Sequence, residues 1–96
     1  MKLPLIPLIP KPETPEAEAA LGFRWAGGDI GKRHRIGGDP QWIQGDETPT
    51  CSCGEKMGFY GQLDSIGDKY CLVDCALIYV FVCWGCFETK SILQSY

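Results

Sequence analysis

A chain of 96 residues with six cysteines, twelve glycines and seven prolines has room for one small domain, and at that size apolar burial leaves little net stability without an added staple. Its 45% hydrophobic, 11% aromatic and 22% charged residues exclude wholesale disorder, and a formal net charge of −3 excludes the dense cationic surface that general nucleic-acid binding needs. The longest apolar run, "ALIYVFVCW", is about nine residues against the ~20 that cross a bilayer, so no membrane span is expected.

The chain opens with "MKLPLIPLIPKP", whose Pro4, Pro7, Pro10 and Pro12 interrupt every helical turn and the apolar core that a secretory signal requires. Two readings stand for it: a flexible leader, or an extended arm whose Leu5, Ile6, Leu8 and Ile9 lie against the domain or against a second copy in a homo-oligomer. "PETPEAEAALGFRW" follows, with Thr14 as N-cap, Pro15 at the first helical position, a helix-favouring stretch to Ala20 and Gly22 as the stop. Residues 1–21 therefore read as a Pro-rich arm and short helix, and 22–96 as the folded domain. Without a signal or span the chain reads as cytoplasmic, a reducing compartment that disfavours disulfides and favours metal as the use of its cysteines.

From Gly22 the sequence turns to short apolar runs punctuated by glycine. "GFRWA" alternates Phe23 and Trp25 against Arg24, and "GKRHR" places Lys32, Arg33 and Arg35 around the single histidine, His34. That cluster reads as a solvated loop or as a contact for an anionic ligand or partner. "GGDPQWIQGDETP" holds Trp42 between Gln41 and Gln44, suited to capping a small core or to a recognition surface. "KMGFYGQLDS", "ALIYVFVC" and "TKSILQSY" read as strands, joined by a turn at "SIGDKY". The fold class expected is a small β-rich α+β domain, an antiparallel sheet of about three to four strands with a zinc-ribbon-like site. Gln62, Asp64 and Gln94 stand among apolar neighbours, so if buried they must be paired, with loop backbone as the expected partner.

Cys51 and Cys53 come just before the first of the long strands, and Cys83 and Cys86 just after the second. Antiparallel pairing of those strands brings both pairs to one edge, where four thiolates suit a tetrahedral Zn2+ with bonds of ~2.3 Å. Gly54 and Gly85 supply the knuckle turns. The C-x-C spacing of the first pair is one residue shorter than the usual minimum and strains its turn. A bound zinc would supply the missing staple; apparent binding free energies in small zinc domains reach about 10–16 kcal/mol.

Cys71 and Cys75 remain, read as buried free thiols, as replacement ligands for one pair, or as a disulfide. A thiol or metal-dependent enzyme using Cys71, Cys75 and Asp74 is the rival function. No Ser-His-Asp set, histidine cluster or phosphate-binding loop is spelled out, so the primary expectation is a protein without catalytic residues.

"HRIGGDPQWIQGDETPTCSCGEKMGFYGQLDS", "LIYVFVCWGC" and the final "QSY" together resemble the YwqG-like family, a bacterial domain of unknown function. They are also similar to the pattern of programmed cell death protein 2. The likeness spans residues 34–96, a counterpart of the C-terminal portion of longer proteins. Where those proteins have two residues inside the first cysteine pair, this chain has only Ser52. The resemblance implies protein binding without chemistry, with an immunity-type inhibitor of a toxin encoded nearby as one form. Trp42, Gln44, Arg33 and Arg35 are the candidate partner contacts.

Overall fold

The computed structural model describes residues 1–96 and contains one five-stranded antiparallel sheet in the order β1-β2-β3-β4-β5. β1 is Ile6–Pro7, β2 Arg35–Ile36, β3 Gly58–Asp64, β4 Leu77–Val82 and β5 Thr89–Gln94. The three longer strands fall where the alternating and continuous apolar runs placed them. Two strands were missed, so the expected three to four become five. Both missed strands have only two residues, too short for a period-2 pattern to register.

The arm is tied to its own domain. Ile6 pairs with Ile36 and Pro7 with Arg35, Leu8 N–H donates to the His34 carbonyl at 2.9 Å and Gly38 N–H to the Leu3 carbonyl at 3.0 Å. Gly37, at φ 72°, lies where the arm crosses; a Cβ there would meet the Pro4 carbonyl oxygen at 2.0 Å. No residue but glycine fits that approach.

One helix, α1 (Pro15–Ala20), starts as its sequence indicated: the Thr14 hydroxyl accepts the Ala17 N–H at 3.0 Å, satisfying one free donor of the first turn. "GFRWA" forms no strand, only a single bridge from Gly22 to Gly67, with the Phe23 and Trp25 rings edge to face at 5.7 Å. "SIGDKY" closes in a 3-10 turn at Asp68–Tyr70.

Leu77, Tyr79 and Phe81 alternate along β4 onto one sheet face and are fully buried, each contributing about 1.5–3 kcal/mol by burial. Trp42 covers them, its ring 4.5 Å from Tyr79 and 5.8 Å from Phe81, which is the core-capping placement. The loop carrying Trp42 is fastened by the strand amides. Gln94 Oε1 accepts the Ile43 and Gln44 N–H groups at 3.0 and 2.9 Å, and Gln62 Oε1 accepts the Gln41 N–H at 3.1 Å. Only 18 of the 96 residues are buried, a core small enough that a further cross-link matters.

Candidate metal centre

β3 and β4 are antiparallel, with Gly58 opposite Val82. The residues leading into β3 and those leaving β4 therefore lie side by side, and the four thiols of Cys51, Cys53, Cys83 and Cys86 come within 4.8 Å of one another. Cys51 Sγ is 3.1 Å from Cys86 Sγ, and Cys53 Sγ is 3.6 Å from Cys83 Sγ. Metal–sulfur bonds of ~2.3 Å in a tetrahedron require sulfurs about 3.8 Å apart, a spacing inside the observed range. The donor set and its dimensions fit a metal ion with small adjustments.

Each pair sits in a tight turn. In the first, Cys51 N–H donates to the Glu55 carbonyl at 2.7 Å and Gly54 N–H to the Cys51 carbonyl at 2.9 Å. In the second, Cys83 N–H donates to the Glu88 carbonyl at 2.9 Å and Phe87 N–H to the Cys83 carbonyl at 2.7 Å. The residue after the second cysteine is left-handed in both, Gly54 at φ 94° and Phe87 at φ 63°. The shorter first turn thus closes on glycine, and the ordinary-length second turn on a strained aromatic.

The amides of Cys86 and Gly85 point at Cys83 and hold its thiol down to about 7, whereas contact with the Cys51 sulfur pushes the Cys86 thiol up to about 12. Thiols crowded this closely resist losing their protons one after another unless a cation offsets the charge. Cys51 and Cys83 are buried, Cys53 and Cys86 exposed, so the cluster has one dry side and one open to solvent.

Glu88 joins the two turns, a contact that no local pattern in the sequence signals. Its carboxylate accepts the Ser52 hydroxyl at 2.8 Å and lies 3.4 Å from the Ser52 N–H. The Ser52 hydroxyl and then its N–H hold the Glu88 carboxyl below its ordinary range.

Cys71 and Cys75 form a separate pair, 3.9 Å apart at sulfur, away from the four-thiol cluster. Burial pushes the buried Cys75 thiol up to about 11, the opposite of what a nucleophilic thiolate needs. Asp74 is exposed beside them.

The basic loop needs correcting. Arg33 is buried, not solvated: its Nε donates to Asp64 Oδ2 at 2.7 Å and its second terminal nitrogen to Asp64 Oδ1 at 2.8 Å. Asp64 is 0% exposed in its side chain and also accepts the Gly31 and Arg33 N–H groups. A carboxylate on an inward strand position needs a cation, and Arg33 supplies it, so Arg33 is occupied inside the fold and unavailable to a partner. His34 is also buried, while Arg35 is half-buried and Gln44 exposed.

A five-stranded antiparallel sheet with four thiols gathered at one end defines a small β protein built around a cysteine cluster that can hold a metal ion. Comparison with protein-family models, with curated proteins and with solved structures finds no match. No helix is long and apolar enough to cross a membrane.

Proposed function

We propose that the chain is a non-catalytic protein-interaction module stapled by a structural zinc. The observation that carries the metal half is the gathering of four Sγ atoms within 4.8 Å at the mouth of the β3–β4 hairpin. An all-thiolate tetrahedral set favours zinc over the hard cations, and with every position filled by protein the ion cross-links and does no chemistry. Cys51, Cys53, Cys83 and Cys86 would hold it, and Glu88 would fix the short first turn.

The interaction half is supported by the likeness to the YwqG-like pattern and by the net charge of −3, which complements a cationic partner and speeds encounter with it. The specific form proposed is an immunity-type inhibitor that covers a toxin encoded nearby, with Gln44 and Arg35 among its contacts and Trp42 as the support beneath them.

Elemental analysis of purified protein should find about one zinc per chain, and a chelator should lower the melting temperature; metal-free protein of equal stability overturns the zinc reading. Co-expression with each neighbouring gene product should yield one stoichiometric complex, and the absence of any removes the inhibitor reading while leaving the metal untouched.

A further inference from the structure

Cys71 and Cys75 stand apart from the four-thiol cluster, with their sulfurs 3.9 Å from each other. A disulfide holds its sulfurs at ~2.05 Å, so about 2 Å of approach by side-chain rotation separates this dithiol from a bond. The Cys75 N–H donates to Cys71 Sγ at 3.3 Å, which keeps the first sulfur folded back over the turn towards the second. Access is unequal, since Cys71 is partly exposed and Cys75 buried.

The backbone between the two cysteines is held from outside. Leu72 N–H donates to Ser65 Oγ at 3.1 Å, and the Ser65 hydroxyl donates to the Ala76 carbonyl at 2.9 Å. Arg33 donates to the Cys75 carbonyl at 3.1 Å, and Tyr96 N–H to the Asp74 carbonyl at 3.3 Å. Within this frame Val73 and Cys75 are left-handed, at φ 50° and 55°. Residues with a Cβ, a β-branched valine above all, keep that conformation only where their surroundings over-determine it. The fold thus retains two unfavourable residues in the segment that sets the two thiols side by side.

We propose that Cys71 and Cys75 form a site of reversible oxidation that takes a low-molecular-weight disulfide of the glutathione class. The Cys71 thiol gives its proton to solvent and its sulfur attacks one sulfur of the reagent, forming a mixed disulfide and releasing one thiol. Cys75 Sγ then attacks Cys71 Sγ. The Cys71–Cys75 bond forms, the mixed disulfide breaks, and the second reagent thiol departs with the Cys75 proton. The protein dithiol is oxidised and the reagent is reduced to two thiols. Burial pushes the Cys75 thiol up to about 11, which makes it a poor nucleophile towards reagents in solution; held proximity to Cys71 is what lets it close the bond. The closed bond locks the turn on which Arg33 and Tyr96 rest. The site is distinct from the cysteine cluster and does not depend on the metal reading.

The test is equilibration of the full chain with mixtures of reduced and oxidised glutathione, followed by alkylation of free thiols and cleavage before aspartate. Cleavage before Asp68 and Asp74 places Cys71 and Cys75 on different fragments, 68–73 and 74–96, which stay joined only through a disulfide. Joined fragments that a reductant separates are expected, with Cys83 and Cys86 not part of the bridge. Cys75→Ser should instead accumulate the mixed disulfide at Cys71, and Cys71→Ser should leave Cys75 unmodified. Separate fragments in the most oxidising mixture, a bridge from Cys71 to Cys83 or Cys86, or modification of Cys75 in the Cys71→Ser chain overturns the proposal.

Discussion

The Ser52 hydroxyl donates to the Glu88 carboxylate at 2.8 Å, linking the one-residue spacer of the first cysteine pair to the chain leaving the second. A C-x-C turn has little backbone to shape itself, so an external tie does that work. Ser52→Ala and Glu88→Gln should each raise the rate of metal loss to a competing chelator and lower affinity by about tenfold, the low end for residues that orient ligands. The double variant should be no worse than either single one, because both remove the same contact.

Phe87 is 68% exposed and left-handed at φ 63°, so it retains strain while burying little. Phe87→Gly should stabilise the domain by about 0.5–1 kcal/mol after allowing for the greater freedom of glycine in the unfolded chain. In thermal unfolding that is an increase of about 2–8 °C in Tm. An unchanged or lower Tm would mean that the ring makes contacts worth as much as the strain.

Arg33→Ala should cost about 3–5 kcal/mol in denaturant unfolding, because it strands the Asp64 carboxylate inside the fold. Arg33→Lys should fall between, since one ammonium cannot reach both Asp64 oxygens, the Tyr96 hydroxyl and the Cys75 carbonyl that the guanidinium serves.

Burial pushes the Cys75 thiol from an ordinary 9.0 up to about 11, and burial also pushes up the Tyr79 phenol. Both groups favour their neutral forms in the fold. Their contribution is complete below the unfolded-state values and is lost as pH rises through the raised ones. Urea midpoints should therefore decline between about pH 9 and pH 11, and at neutral pH a thiol reagent should modify the partly exposed Cys71 well before Cys75.

The sequence made the three long strands and the convergence of the cysteine pairs readable, because both follow from local rules: alternation along "KMGFYGQLDS" and "TKSILQSY", and the adjacency that antiparallel pairing imposes on strand ends. Gln62 and Gln94 were readable too, since a buried amide must find backbone partners. Arg33 was not. Its partner Asp64 lies 31 positions away, and nothing in "GKRHR" distinguishes an arginine that turns inward from the exposed Lys32 beside it. The signal was on the other residue, an aspartate on an inward strand position that required a cation. Glu88 escaped for the same reason, as its contact with Ser52 spans 36 positions.

The two halves of the cysteine cluster are also separated in time. Cys53 and Cys83 are 30 positions apart, and at a synthesis rate of about 5–20 residues per second the second half follows the first by roughly two to six seconds. During that interval the nascent chain carries Cys51 and Cys53 without their opposite pair, open to oxidants and to stray metal. The β4 strand that brings Cys83 and Cys86 into place also supplies Leu77, Tyr79 and Phe81 to the core, so the last thiols arrive together with the packing that shields Cys51.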